Sequence, residues 1–394
     1  MKDYGTPDLY RSPRYSNAVT EALTKSATSS MWDDWDLEGL LVDTPHKFSA
    51  RLGVKHGIFC STGTAGLHAS LMALPLRPGD EVIAPCMTFI RAVTPLVHLG
   101  LIPVLADIDH RTGNLDPASL ESVITSKTRV VIVVHMWGIA ADMEAIKGIC
   151  RRNSLLLIED FSHAHLSKHE HGFVGSFGDI AFASLQRKKT LSVGEGGIVV
   201  TNDVSTYDRL RQITSPGSFK GTPTHNEFSG FGLNLRMSPF SGVVARQIFS
   251  EADSIVSNRA THGREFDAIL AGFPDYIAPP HIPAYVTFVS PYGYKPTVSA
   301  KVSKENLSKA NTSGLWQFSS FSYGHLLRDV FWKKDSTYYP FSQMIQPKAL
   351  ATYPGYDAYI KGRVGLSVPT TDADYWTDST RSNWRDALAT AFDA

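Results

Sequence analysis

The residue with the clearest chemical potential in this 394-residue chain is Lys189, in the segment 184–197. That segment reads Ser-Leu-Gln-Arg-Lys-Lys-Thr-Leu-Ser-Val-Gly-Glu-Gly-Gly and follows a run rich in β-forming residues. Two neighbouring lysines at a strand end are usually surface charge. A lysine just before a Gly-Glu-Gly-Gly turn, downstream of a strand-end aspartate, is a better candidate for a nucleophile that forms a Schiff base. Such a lysine must be desolvated and near a cofactor cation to have a lowered pKa.

Asp160 stands upstream of this lysine, after the apolar run 155–158 and Glu159. Ligands of open α/β folds bind at the carboxyl edge of the sheet, where a carboxylate serves as a metal ligand, a base or the partner of a heterocyclic cation. The pyridine nitrogen of pyridoxal 5'-phosphate (PLP) requires the last of these, because the protonated ring is the electron sink of that cofactor. An aspartate that caps the following helix is the structural alternative.

Two further segments could hold a phosphate. Ser61-Thr62-Gly63-Thr64-Ala65 follows an apolar run and opens a predicted helix. Free N–H groups at a helix N-terminus bind phosphate, small residues let it approach, and the Thr64 hydroxyl can add a hydrogen bond. A plain capped helix start explains the same residues. The segment 234–237, Asn-Leu-Arg-Met, predicts almost nothing by itself.

The elements that must position these groups follow an alternating pattern. From Phe59 to about Asp203, short apolar runs alternate with helix-like segments, which predicts an α/β domain with a largely parallel sheet covered on both faces. The predicted strands are 81–84, 102–106, 130–134, 155–158, 180–183 and 198–201, and the predicted helices between them are 64–74, 88–99, 117–123 and 141–152.

The texture of the sequence changes after a helical stretch that runs from Pro239 to about Phe266. Pro, Tyr and Ser become frequent in the segment 272–297, and the remainder mixes short strand-like pieces such as 285–289 with a closing helix near 375–392. A chain of this length exceeds the usual size of a single hydrophobic core. We therefore predict an N-terminal arm with a large PLP-binding domain, residues 1–266, and a small C-terminal domain, residues 267–394.

Composition and charge exclude several classes of protein. Lys+Arg (38) balances Asp+Glu (38), and the basic run 187–189 is isolated, so no surface for nucleic acid is indicated. No stretch approaches the roughly 18 apolar residues of a membrane span, and the polar segment 1–16 contains no signal-peptide core. The three cysteines are widely spaced and suit free thiols in a reducing compartment. We expect a cytoplasmic protein that binds neither nucleic acid nor membrane.

In combination, these segments resemble the DegT/DnrJ/EryC1/StrS sugar aminotransferase family of PLP enzymes. The resemblance runs from roughly Phe48 to Arg259, more than half of the chain. It implies fold type I, a large domain with a mostly parallel central sheet between helices and a smaller C-terminal α+β domain. The similar blocks, in the order of the family, are 85–89, 103–109 with 115–117, 135–143, 159–165, 175–179 and 194–203.

The resemblance also implies roles for individual residues around the cofactor. Lys189, five positions before Gly194, stands where the cofactor-binding lysine of the family stands, and Lys188 is then only its neighbour. Asp160 would pair with the pyridine nitrogen and Phe89 would lie against the face of the ring. The phosphate would be held by Gly63, Thr64 and Ser184.

Two residues of the segment 234–237 gain roles through the same resemblance. Asn234 would reach the phosphate of the neighbouring subunit's cofactor, which implies a homodimer with shared active sites. Arg236 would clamp the carboxylate of an amino-acid donor. Both are expectations from the family alone.

The sequence departs from the family in several places. His163 stands where many members carry Gln, so the hydrogen bond to the ring hydroxyl of the cofactor would come from an imidazole. Leu185 stands where an aromatic residue is frequent. The segment 314–328 matches only faintly, and 363–369 is the clearest similarity in the C-terminal part.

Two other patterns allow alternative interpretations. His163, His165, His169 and His171, with Asp160, invite a metal site. No second cluster of Cys or carboxylates accompanies them, and His169 and His171 suit an exposed turn, so we predict no metal site. The aromatic stretch Trp316, Phe318, Phe321 and Tyr323 suits a wall for a sugar or nucleoside, but packing of the smaller domain explains it more economically.

Three functions remain open. In the first, glutamate or glutamine donates an amino group to a ketone on a sugar, nucleotide sugar or cyclitol in a biosynthetic pathway, for example of an antibiotic. In the second, PLP and the same lysine serve elimination, dehydration or epimerisation. The third is a non-catalytic regulatory protein. Lys189 argues against the third, and against the dehydratase branch of the family, in which a His replaces the lysine.

Overall fold

The computed structural model describes residues 15–29, 38–217, 230–303, 348–361 and 378–392. The segments 314–328 and 363–369 and the aromatic residues Trp316, Phe318, Phe321 and Tyr323 lie outside these ranges. Within them, no helix combines the length and the apolar character that crossing a bilayer requires.

An eight-stranded sheet forms the centre of the described structure, in the order β1-β9-β8-β5-β4-β2-β3-β13. β3, β2, β4, β5 and β8 pair in parallel along the chain of neighbours, which confirms the predicted parallel sheet. Its strands are β1 His56–Cys60, β2 Glu81–Pro85, β3 Ile102–Ala106, β4 Thr128–Val134, β5 Leu156–Asp160, β8 Ile180–Ser184, β9 Gly197–Thr201 and β13 Lys348–Ala349.

Apolar side chains on successive residues of these strands enter different cores. In β4, Ile132 and Val134 pack in one core, while Val131 and Val133 pack in another. Side chains of neighbouring strand residues point to opposite faces, so an unbroken run of Val and Ile suits a sheet that is buried on both faces. The alternation of predicted helices and strands therefore leads to covering layers on both sides.

Polar side chains cap several of the described helices at their N-termini. The side chains of Thr62, Asp116, Asp142 and Asp203 each accept a hydrogen bond from the backbone N–H three residues later. The helices are α1 Asn17–Ala27, α2 Asp43–Leu52, α3 Gly63–Ala73, α4 Thr94–His98, α5 Pro117–Ser122, α6 Met143–Arg152, α7 Val204–Thr214, α8 Pro239–Ser250 and α9 Ala252–Leu270. A π-helical turn lies at Glu38–Val42, and 3₁₀ turns lie at Ile90–Ala92 and Met136–Gly138.

Two predicted helices differ from the observed ones. The stretch predicted as one helix from Pro239 is two helices, α8 and α9, which meet at Glu251. The helix predicted at 88–99 is the 3₁₀ turn followed by the short α4, with Pro95 in its first turn. Proline lacks an N–H and is tolerated only at the start of a helix, so α4 begins there.

The C-terminal part contributes to more than one region. β10 Ile277–Ala278 pairs with β12 Thr297–Val298, and β11 Val286–Phe288 pairs with the hairpin of β6 Lys168–His169 and β7 Gly172–Phe173. β13 joins the central sheet beside β3. Helix α10, Pro354–Lys361, packs its tyrosines in the core that also contains Ile132 and Val134 of β4. The last described helix is α11, Asp378–Phe392. The predicted domain boundary at residue 266 falls within α9 and stays a prediction.

The three cysteines, Cys60, Cys86 and Cys150, are buried free thiols, as predicted. Burial raises the pKa of the Cys60 and Cys150 thiols to about 12, because a thiolate loses hydration inside the protein. These thiols are therefore packing groups and poor nucleophiles at neutral pH.

Glu159 fixes the loop beside the end of β5. Its fully buried carboxylate accepts hydrogen bonds from the N–H groups of Gly175 (2.8 Å), Phe177 (2.6 Å) and Gly178 (2.6 Å). It also lies 3.0 Å from His135 Nε2. His135 Nδ1 accepts the Ala141 N–H, so Nε2 carries the proton and donates to Glu159. Glu159 therefore has a structural role, unlike its neighbour Asp160.

Glu159→Gln should lower the unfolding temperature by about 5 °C, because an amide nitrogen cannot accept the hydrogen bonds that a carboxylate oxygen accepts. Glu121→Gln is the matched control, since Glu121 forms an exposed ion pair with Arg152 and such pairs contribute little. Thermal unfolding followed by circular dichroism measures both variants. An equal effect of the two substitutions would contradict the structural role of Glu159.

Candidate active site

The carboxyl edge of the sheet brings Asp160 and Ser184 together. β5 and β8 are parallel neighbours, with Asp160 opposite Phe182, so both strands end at the same edge. Ser162 connects the two ends: its N–H donates to Asp160 Oδ1 (2.9 Å), and its Oγ accepts the Ser184 N–H (2.8 Å). The strand ends and the turn after β5 therefore form one hydrogen-bonded unit.

Gly63, the first residue of α3, lies against this unit. A Cβ on Gly63 would come within 2.7 Å of Ser184 Cβ, so only glycine allows the contact. Gly197, opposite Ser184 in the register of β8 and β9, is equally confined, since a Cβ there would lie 2.4 Å from the Thr62 carbonyl oxygen. The first N–H groups of any α-helix have no partner within the helix and favour an anion. Gly63, half-buried Thr64 and Ser184 thus form a small neutral cradle.

Lys189 and Lys188 occupy different environments. Both lie in the connection between β8 and β9, which starts at the same edge of the sheet. The Lys188 side chain is exposed, whereas Lys189 is half-buried and its Nζ lies 4.3 Å from the centre of the Tyr292 ring. The backbone around it is fixed, because the N–H groups of Lys189 and Leu191 donate to the Gln186 carbonyl (2.7 Å) and His165 Nδ1 (3.3 Å).

Lys189 and Asp160 shift each other's protonation less than burial does. Burial lowers the pKa of Lys189 to about 8, and the attraction of Asp160 opposes this change. Burial also raises the pKa of Asp160, although hydrogen bonds from Ser162 and the charge of Lys189 act in the other direction. Both directions follow from the loss of hydration by charged groups at the sheet edge. The result is an amine that can exchange a proton near neutral pH.

Two buried histidines border this pair. The His163 ring stacks on Tyr292, with ring centres 4.0 Å apart and planes at 16°, and on Trp137 at 5.4 Å. Burial, followed by the charge of Lys189, places the pKa of His163 well below its usual range and lowers that of His165 to about 3. Both imidazoles are therefore neutral at physiological pH.

Three sequence-predicted residues are exposed. Phe89 follows β2 at the same edge of the sheet and leaves 48% of its surface accessible. Asn234 has a left-handed backbone (φ 53°), and its Oδ1 accepts a hydrogen bond from Arg236 Nε (2.9 Å). The backbone between them is anchored near the cradle, since the Leu235 carbonyl accepts the Ser61 N–H (2.7 Å). The side chains of Asn234 and Arg236 are thus exposed to solvent, although the backbone between them is held near the cradle.

The histidines proposed as an alternative metal site do not act as one group. Ligand atoms of His169, Glu170 and His171 lie within 4.8 Å of one another, in the hairpin of β6 and β7. His163 and His165 instead border Lys189. The expected exposed turn is wrong for His169, which is buried and stacks on Tyr285 at 5.1 Å.

Sequence reasoning missed two residues near Lys189. Tyr292 lies in the Pro-Tyr-Gly-Tyr-Lys run of the C-terminal part, and its only sequence signal is the change to Pro, Tyr and Ser. Arg259 is buried in α9, where its Nη1 donates to Thr190 Oγ1 (3.1 Å) and to the Pro291 carbonyl (3.3 Å). The contacts of Arg259 join segments 69 and 32 residues apart, and Tyr292 follows Lys189 by more than 100 residues, so no local pattern reveals them.

Trp137, on which His163 stacks, also lines a cavity of about 230 Å³. Lys295, which is buried, places its Nζ 4.4 Å from the centre of the Trp137 ring. The lining is mostly apolar, and its charged members are Arg111, Arg264, Asp267 and Lys295. Aromatic surface with a few charged groups is typical of small-molecule sites.

Known proteins resemble this chain in sequence and in fold. The model of the DegT/DnrJ/EryC1/StrS aminotransferase family matches residues 19–308. The chain is 34% identical over 243 residues to a GDP-perosamine synthase of Caulobacter vibrioides, covering 61% of this chain and 65% of that protein. It is 39% identical over 170 residues to an L-glutamine:2-deoxy-scyllo-inosose aminotransferase of Streptoalloteichus tenebrarius, covering 43% and 40%. The matches thus span less than two thirds of these relatives.

Solved structures show the same fold over nearly the whole chain. An aminotransferase from Psychrobacter cryohalolentis superposes with a TM-score of 0.84 at 23% identity, covering 97% of this chain and 98% of that one. A 3-amino-5-hydroxybenzoic acid synthase superposes with a TM-score of 0.80 at 23% identity, covering 98% of both chains. The fold is the type I fold of PLP-dependent aminotransferases.

Lys189→Ala should abolish covalent attachment of added PLP, while Lys188→Ala should keep it, because only Lys189 is half-buried beside Asp160. The visible absorption band of the lysine-bound cofactor, and peptide mass mapping after borohydride reduction, measure the attachment. If the Lys188 variant loses the band and the Lys189 variant retains it, the assignment of the lysine is wrong.

Proposed function

This chain belongs to the DegT/DnrJ/EryC1/StrS aminotransferase family, and we propose that it is a PLP-dependent aminotransferase of small molecules. Its donor is glutamate or glutamine, and its acceptor is a keto group on a sugar, nucleotide sugar or cyclitol in a biosynthetic pathway. The observation that carries this proposal is Lys189, a half-buried lysine whose pKa of about 8 lets its amine act near neutral pH beside Asp160.

The residues present fit PLP in three independent respects. The glycine-only contact of Gly63 with Ser184 leaves a cradle of neutral donors at the N-terminus of α3, which suits a phosphate. Asp160, at the end of β5, suits a pyridinium nitrogen. Lys189 suits the aldehyde, because an unprotonated amine is the nucleophile. When bound, PLP supplies an electron sink for negative charge at the α-carbon of the donor.

Lys189 has two tasks in this mechanism. Its Nζ would hold the cofactor covalently, and the free amine would remove the proton from the α-carbon of the donor. The same atom can return a proton, because a pKa of about 8 allows both protonation states near neutral pH. One side chain therefore acts as nucleophile and then as general base and acid.

The other residues would orient the cofactor and the amino-acid donor. The Ser162 N–H donates to Asp160 and favours the charged form of this carboxyl group at the strand end, against the effect of burial on its pKa. His163 is a neutral imidazole and offers a hydrogen bond where many relatives carry Gln. Phe89 would cover the open face of the ring, and Gly63, Thr64 and Ser184 would orient the phosphate. Arg236 would bind the carboxylate of the donor as a charge-assisted pair.

We also propose that the enzyme is a homodimer with shared active sites. The segment that contains Asn234 is unusually apolar on its exposed side: Phe231 is 96% accessible, Phe240 50% and Leu233 44%. Exposed apolar clusters of this kind mark interaction surfaces. In a dimer formed through this cluster, Asn234 would reach the cofactor phosphate of the neighbouring subunit. The three buried free thiols suit work in the reducing cytoplasm.

The holoenzyme mixed with glutamate or glutamine should lose the band of the lysine-bound cofactor within one turnover, and Lys189→Ala should show no such change. The rate should rise with pH through about 8, since only the unprotonated amine takes a proton and a lowered pKa places that form above pH 8. Stopped-flow absorbance measures it. No spectral change with either donor would contradict transamination and favour an elimination or epimerisation.

Mixing Asn234→Ala with Lys189→Ala subunits should restore about one quarter of wild-type activity, because half of the random dimers contain one intact shared site. Phe231→Asp should also shift the sedimenting species from two chains towards one. Val204→Asp is the matched control, at a 58% accessible valine of α7. If the mixture stays inactive while each variant still dimerises, Asn234 does not serve the neighbouring site.

A further inference from the structure

We propose that Tyr292 is a positioning residue for Lys189: the face of its ring holds the Lys189 ammonium and sets how readily that group releases its proton. Tyr292 comes from the C-terminal part of the chain, more than 100 residues after Lys189. The inference deepens the proposed function and rests on it for the catalytic meaning of Lys189, although the contact itself does not.

The geometry is that of a cation on an aromatic stack. Lys189 Nζ lies 4.3 Å from the centre of the Tyr292 ring, well within the roughly 6 Å at which a cation is attracted by the ring. The ring also stacks on His163 with a centre distance of 4.0 Å and lies nearly parallel to Trp137, at 14° and 6.3 Å. Tyr292 is therefore held by two rings and cannot turn away without breaking this stack.

The backbone that carries Tyr292 is anchored on the 3₁₀ turn after β4 and on Ser167, the residue before β6. Its N–H donates to the Trp137 carbonyl (3.4 Å), and the Ser290 N–H donates to Ser167 Oγ (2.9 Å). Ser167 Oγ in turn donates to the Gly138 carbonyl (2.7 Å). A Cβ on Gly138 would lie 2.3 Å from the Ser290 carbonyl oxygen, so the two segments touch at a glycine-only contact.

Arg259 connects the two partners a second time. Its guanidinium donates to Thr190, the residue after Lys189, and to the carbonyl of Pro291, the residue before Tyr292. Only 4% of Arg259 is accessible, and both of these acceptors are neutral oxygens. Burying a guanidinium on neutral partners is costly, and burial lowers its pKa to about 10. These two hydrogen bonds fix the spacing between the lysine and the ring in spite of this unfavourable burial.

Asp160 and the ring of Tyr292 both favour the ammonium form of Lys189. Asp160 is the carboxylate that favours the ammonium, while burial disfavours it. His163 and His165 are neutral because burial and Lys189 lower their pKa values, and the charge of Arg259 acts on His165. An aromatic face favours a cation without adding a charge. Tyr292 therefore raises the proton affinity of Lys189 above the value that burial beside Asp160 would leave.

Competitive acetylation of the full-length protein without cofactor, at a series of pH values and read by mass spectrometry, measures the titration of Lys189 directly. Exposed Lys188 is the internal reference in every sample. Tyr292 is replaced by phenylalanine, by mono- and pentafluorinated phenylalanine, and by leucine. Tyr285→Leu is the matched control, because Tyr285 is a half-buried tyrosine of the same part that stacks on His169 instead.

The wild-type midpoint should lie below that of exposed Lys188, because burial lowers the pKa of Lys189, and Tyr292→Phe should keep the wild-type midpoint. Fluorination withdraws electrons from the ring face and should lower the midpoint stepwise, and Tyr292→Leu should lower it by about 0.5–1.5 pH units. The sign follows because the ring stabilises the charged form, so its loss makes Lys189 a weaker base. Tyr285→Leu should leave the midpoint unchanged.

A midpoint that is the same across the fluorinated series would overturn the proposal, and the near-isosteric series decides this even if the leucine variant does not fold. The outcome is separate from the proposed function. If the midpoint shifts but Lys189 binds no PLP, the contact stands and the proposed function fails. If Lys189 binds PLP but fluorination leaves the midpoint unchanged, only the positioning role of Tyr292 is contradicted.

Discussion

The site depends on a single physical conflict, the burial of the Lys189 amine beside the Asp160 carboxylate. Each group loses hydration, which favours its neutral form, and each attracts the charged form of the other. Burial prevails for both, so the lysine is a usable base near neutral pH. A fully exposed lysine would stay protonated, and a lysine paired without burial would hold its proton more tightly. The other contacts around the sheet edge maintain this balance.

The strand arrangement creates that edge. Parallel pairing of β5 with β8 places Asp160 near Ser184, and antiparallel pairing of β8 with β9 places Gly197 opposite Ser184. The connection between β8 and β9 must leave and re-enter the sheet at this edge, and Lys189 lies within it. Gly63 completes the arrangement, since α3 starts in contact with Ser184. Cradle, carboxylate and lysine are thus consequences of one sheet order.

The loop that carries Lys189 is held from both parts of the chain. His165 accepts the Leu191 N–H, Arg259 of α9 donates to Thr190, and Tyr292 of the C-terminal part contacts the Lys189 amine. These contacts lie directly beside the amine, so their packing and the chemistry of Lys189 depend on each other.

The sequence by itself determined the alternation of strands and helices, the caps, the strand-end Asp160 and the Gly-Glu-Gly-Gly turn after Lys189, because these features depend on residues close together in the chain. The choice of Lys189 over Lys188, by register with Gly194, came from the resemblance to the family and stays a prediction. Only the tertiary structure decided that Glu159 is a structural anchor, that residues 348–361 pack on the large sheet, and that Tyr292 and Arg259 reach the lysine. Those contacts join distant segments through packing and desolvation, which periodicity and spacing do not encode.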